Sequence, residues 1–144
     1  MVVKSYIRIV FVACFAVFAI NKLWFRPWAI ENLDSGFLIG LTYSLPNFIE
    51  AVMGVLLISG ILTYLRQTYP VPFARLKDVT LYGIAGLIAA IYVLSQEVGI
   101  HNLGGNNVYD PNDVMASLLG LTATVAMLCR FGLVSRHGAD EQTR

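Results

Sequence analysis

Charge is scarce in this chain. Only 13% of its 144 residues are Asp, Glu, Lys or Arg, against roughly 25% in soluble domains, and no lysine or arginine cluster suits nucleic-acid binding. Cysteine is rarer still. Cys14 and Cys129 stand alone inside apolar runs with no CxxC partner, so disulfide and zinc readings are poor and two buried thiols acting as small apolar residues are expected. The only histidines are His101 and His137, too few for a structural zinc site, although an oxygen-ligated divalent cation stays open. Ser44 and Ser95 sit in no nucleophile elbow, and Gly104 and Gly105 lack the strand and helix of a nucleotide loop. Internal repeats and low-complexity segments are absent as well.

What remains is hydrophobic: 57% of the residues are apolar and the mean hydropathy is +0.68. A bilayer core about 30 Å thick needs about 20 helical residues, so a chain of this length accommodates four short-looped spans in one transmembrane domain. The expected class is an all-α membrane protein, a four-transmembrane-helix bundle. Spans are expected at about 6–25, 47–66, 79–97 and 112–134.

The first span has an apolar core from Ile9 to Ile20, bracketed by Arg8 and Asn21, with Trp24 and Trp28 marking an interface. Lys4 and Arg8 could open a signal peptide, but bulky Leu23, Trp24 and Phe25 follow Ile20 where a small-x-small cleavage site would stand. The span is therefore expected to be retained. The second apolar stretch, Gly36 to Leu65, covers 30 residues and would measure about 45 Å as one helix, more than a bilayer needs. Pro46 disfavours helix at Leu45, and Asn47 and Glu50 have the spacing of a capping pair, so the helix is expected to begin near Asn47. Residues 36–44 would then form a separate short segment, interfacial or re-entrant. Pro70 and Pro72 make the next connection a turn.

Charge then orients the spans. Lys4, Arg8, Arg66, Arg75, Lys77, Arg130, Arg136 and Arg144 fall on one side and only Lys22 and Arg26 on the other, so both termini are expected in the cytoplasm. The opposite face is acidic, with Glu31, Asp34, Glu97, Asp110 and Asp113, and Glu50 close to it. Small residues at helical spacing, Gly86 with Ala90 and then Ala116, Gly120 and Thr124, permit close helix contact, within the bundle or between copies.

Polar residues near the acidic face are the candidates for function, because ionisable groups close to a bilayer cost a few kcal/mol at its centre and less near its edge. Asp110, before Pro111, has the character of an N-cap, and Asp113 in the first turn lies favourably against the helix dipole. Glu97 and His101 share a face if the third helix continues past Gln96. The structural alternative makes these residues caps and ion pairs. The functional one gathers Asn47, Glu50, Glu97, His101, Asp110 and Asp113 around an outward-facing mouth that holds a cation or a head group.

The segment Gln96-Glu97, then Asp110-Pro111-Asn112-Asp113-Val114-Met115-Ala116-Ser117-Leu118-Leu119-Gly120, resembles the VanZ-like family of small bacterial membrane proteins. Glu97, Asp113, Ser117 and Gly120 occupy positions similar to that family's Glu, Asp, small or Asn, and Gly residues; Ser117 stands where Asn is frequent. The resemblance covers mainly the last two spans and implies a role in the cell envelope, with no known reaction. The expected function is binding of an amphiphilic envelope ligand, such as a lipid-linked cell-wall precursor, among membrane lipids and without catalysis. The rival is a scaffold subunit docking a membrane-protein partner or a second copy.

Overall fold

The computed structural model describes residues 2–69, 75–97 and 110–135. Its elements are α1 (Ser5–Ile20), a π-helical turn (Asn21–Phe25), α2 (Arg26–Asn32), α3 (Gly36–Thr68), α4 (Asp78–Glu97) and α5 (Pro111–Phe131). α1, the π turn and α2 run on as one rod of 28 residues, giving four helices long and apolar enough to cross a membrane. The number of long apolar helices matches the four expected, with different limits. The first reaches Asn32, and the last stops at Phe131, where Gly132 takes a φ of 69° that suits glycine at a helix end. Cys14 is half-buried as expected of a core thiol, but Cys129 lies on the outer face of α5.

The main correction concerns residues 36–44, which form no separate segment. They are the opening turns of α3, a continuous helix of 33 residues with Pro46 inside it. Its N-cap is Ser35, so Asn47 and Glu50 stand well within the helix and have no terminus to cap. Proline normally breaks a helix because it lacks an N–H for the carbonyl four residues back and its ring crowds that carbonyl. Here the orphan is the Thr42 carbonyl, and the Asn21 side-chain amide donates to it at 2.9 Å. A donor from another helix thus replaces the lost backbone bond, as kinked helices in apolar surroundings require.

α3 is the hub of the fold, packing against α1, α2, α4 and α5, while α1 packs mainly on α3. The α3–α5 contact is close because Gly120 lacks a Cβ: one there would lie 2.5 Å from the Phe48 carbonyl oxygen and 3.0 Å from the Ala51 Cβ. Gly86 plays the same part between α4 and α5, where a Cβ would meet Val125 Cγ2 at 2.6 Å. The small-residue faces are thereby used inside the bundle. Val55, Leu81, Ala85 and Leu128 fill the core between these three helices.

One end of the bundle is tied shut. Val3 and Val134 form an isolated antiparallel bridge, with Lys4 N–H donating to the Leu133 carbonyl at 3.1 Å and Ser135 N–H to that of Val2 at 3.0 Å. Lys4 Nζ donates to the Phe131 carbonyl and Tyr6 Oη to that of Gly132, satisfying groups that a helix C-terminus leaves free. Leu133 N–H donates to Tyr82 Oη at 2.9 Å, and Arg66 pairs with Asp78. The C-termini of α3 and α5 and the N-terminus of α4 therefore share this end, so α3 and α5 run parallel. The opposite end carries the α2–α3 turn, the end of α4 and the start of α5.

Candidate functional site

At that opposite end the π turn determines which side chains face inward. By widening one turn of helix it buries Asn21 against α3 while Lys22, Leu23, Trp24 and Phe25 stay exposed. Asn21 is 2% exposed, and with its Nδ2 committed to the Thr42 carbonyl, its Oδ1 is left as an acceptor with no partner. Ser44, two residues further along α3 and 6% exposed, has an Oγ equally unpartnered. A buried polar atom left without a hydrogen bond costs about 1–3 kcal/mol.

Both residues line one groove. It has a volume of about 780 Å³, is walled by Phe25, Trp28, Leu38, Phe48, Ala116 and Leu119, and among the described residues carries the polar side chains of Asn21, Thr42 and Ser44. Its entrance is aromatic: Phe25 stacks on Trp28 with ring centroids 5.8 Å apart, and the Arg26 guanidinium lies 3.6 Å from the centre of the Tyr43 ring. A second groove of about 550 Å³, near the tied end between α1 and α3, is lined by Ile7, Arg8, Leu56, Tyr64 and other residues, none with a buried unpartnered side-chain atom.

The residues singled out in the sequence are distributed unevenly about this groove. Asp110 is the N-cap of α5, its Oδ1 accepting from Asn112 N–H at 2.9 Å, and it is half-buried. Asp113, in the first turn, is half-buried too, and its Oδ1 is enclosed without a partner among the described residues. Ser117, one turn on and 0% exposed, has an unpartnered Oγ on the same inward stripe. Asp113 stands one turn from Ala116 of the groove wall, at the end where the groove lies.

Asn47 is half-buried within α3, outside the groove lining. Glu50 is exposed and recurs at seven-residue spacing with Tyr43, Leu57 and Tyr64 on the outer stripe of α3. Because Phe48 meets Gly120 and the two helices are parallel, Glu50 lies about 13 Å along the axis from Asp113, so these two are not brought together. Glu97 closes α4, and His101 falls outside the described residues. No group of three or more His, Cys, Asp and Glu side chains able to hold a metal ion occurs among the described residues.

Asn21, Thr42 and Ser44 did not stand out in the sequence as site residues. The available signal was Pro46: the carbonyl four residues before an intrahelical proline needs a donor, and Asn21 is the polar residue that interrupts the neighbouring apolar run. Comparison with protein-family models, with characterised proteins and with solved structures gives no match to the chain.

Proposed function

We propose that this is a multi-pass protein of the bacterial inner membrane, with both termini cytoplasmic, that binds an amphiphilic ligand of the cell envelope in the groove beside Asn21. The observation that carries this reading is a large apolar groove lined by Asn21 and Ser44, each of which has an enclosed polar atom without a hydrogen-bond partner. Apolar walls with a few convergent polar groups are the usual composition of a small-molecule site. The eight-to-two division of lysine and arginine supports the orientation, which puts the groove at the outer side. The VanZ-like pattern around Glu97, Asp113, Ser117 and Gly120 supports an envelope role. Asp110 and Asp113, at the start of α5, would meet the ligand's polar end, directly or through a divalent cation.

A scaffold role would use the small-residue faces for docking. Gly86 and Gly120 already have Val125 and Phe48 against them, which favours the ligand reading. Native mass spectrometry of gently extracted protein tests it. Wild type should carry a lipid adduct that Ala116→Trp, which fills the groove, loses; bare protein in both forms would count against a ligand site.

A further inference from the structure

Independently of the ligand, and resting only on the membrane-spanning part of that reading, we infer that the chain pairs with a second copy of itself through reciprocal Lys22–Glu50 ion pairs. Glu50 stands near the middle of α3, about 21 Å from Gly36 and about 27 Å from Thr68 at 1.5 Å per residue, and it is exposed there. Carboxylates at such depth almost always face a bundle interior or meet a cation. Lys22, exposed on the first rod, bends back over the Phe18 ring with its Nζ 5.6 Å from the ring centre. A lysine near the edge of a span normally reaches out to the head groups, whereas this one lies a turn deeper. Arg26, one turn beyond Lys22, lies 3.6 Å from the centre of the Tyr43 ring, and Tyr43 is two turns before Glu50, so both charges belong to one face. Side chains lean toward the N-terminus of their own helix, and the first rod and α3 run in opposite directions, so the ammonium and the carboxylate converge in depth.

Lys22 is close enough for its charge to act on Glu50, yet the two form no ion pair within one chain; among the described residues that contact is made by Arg66 and Asp78. A face bearing one positive and one negative charge at similar depth is complementary to itself. Rotation by a two-fold axis along the bilayer normal keeps both copies in the same orientation and sets Lys22 against the partner's Glu50, and Glu50 against the partner's Lys22. Lipid head groups stay at the bilayer edge and do not reach the middle of α3. An unrelated protein needs two separately matched charges, where a second copy supplies both by symmetry. Around the pair the face is apolar and open: Phe15, Val17 and Leu57 are exposed, and α1 packs mainly on α3. The Gly86 and Gly120 contacts lie inside the bundle and leave this face free to pair.

The test uses the full chain, tagged at its C-terminus with a donor or an acceptor fluorophore and reconstituted in phosphatidylcholine vesicles at low protein-to-lipid ratio. Wild type should show energy transfer that untagged wild type competes away. Lys22→Glu alone and Glu50→Lys alone leave like charges facing each other, so each should weaken association at least about tenfold. Mixing the two single variants should restore transfer, because each then carries the charge the other lacks. A pair formed within one chain predicts no such rescue on mixing. Should the reversals fail to insert, Lys22→Gln and Glu50→Gln take their place, and each should weaken association severalfold. No transfer in wild type, undiminished transfer in the single variants, or inserted reversals that stay apart when mixed overturns the inference. Carbonate washing separates the two kinds of failure: chain that stays in the membrane as a monomer overturns self-association alone, and chain that washes off overturns the membrane-spanning reading with it.

Discussion

The Asn21 side-chain amide donates to the Thr42 main-chain carbonyl at 2.9 Å, and Thr42 is the residue whose helical partner Pro46 has eliminated. One hydrogen bond between helices therefore keeps α3 continuous, fastens α1 to it, and leaves Asn21 Oδ1 free beside the groove. Interhelical hydrogen bonds in membrane proteins average about 0.6 kcal/mol and reach about 1.7 kcal/mol. Asn21→Ala should cost an amount in that range, measured by equilibrium unfolding in detergent. In a Pro46→Ala background the Leu45-to-Asn47 backbone regains its donor for Thr42, so the same substitution should cost less. Identical costs in both backgrounds would separate Asn21 from the proline.

Gly120 should be intolerant of even a methyl group, since its Cβ would lie 2.5 Å from a backbone oxygen that cannot swing away. Gly120→Ala is expected to lower stability by about 1–3 kcal/mol, the usual cost of overpacking. Gly54→Ala, whose new Cβ would sit at an ordinary 3.8 Å from Ala89, is the control and should be near neutral. Thermal unfolding of the two variants side by side provides the comparison.

At the tied end, Tyr82→Phe removes the acceptor for the buried Leu133 N–H while keeping the ring. Leaving that donor unpaired should cost about 1–3 kcal/mol. The loss should be accompanied by faster amide exchange at residues 133–135, because the short bridge to Val2 and Val3 is anchored there. Slow exchange retained in the variant would show that the bridge holds without Tyr82.

Glu50 sits on the outer stripe of α3, away from the groove lining. In a membrane a carboxylate there is unfavourable, by up to about 2.5–3.5 kcal/mol near the centre on translocon scales. Glu50→Leu should therefore insert at least as well as wild type and keep the lipid adduct, whereas Asp113→Asn, at the groove's end, should reduce it. Loss of the adduct in Glu50→Gln and Glu50→Leu alike would return Glu50 to the site.

Much of the architecture was legible because it depends on local or compositional signals. Four apolar runs, the Asp110-Pro111 helix start and the small residues at Gly86 and Gly120 all have the structural roles that their chemistry implies. The continuity of α3 was hidden because local rules at Pro46 favour a break, and the compensating donor comes from Asn21 in another helix. The groove was hidden for a related reason. Ala116 and Leu119 of α5, Phe48 of α3 and Phe25 of the π turn have nothing in common in sequence until helix packing brings them around one space. Acidic residues drew attention through charge, whereas the groove-lining residues with enclosed, unpartnered polar atoms are the uncharged Asn21 and Ser44.

Selective occupation of the groove is tested most directly by placing a photo-crosslinking amino acid at Leu119, on its wall, and separately at Ile88, on the exposed face of α4. Irradiation in native membranes followed by intact-mass analysis reads out what each position touches. The expected result is one discrete lipid mass at Leu119 and the heterogeneous bulk-lipid mixture at Ile88. The same bulk mixture at both positions would contradict a selective ligand site beside Asn21.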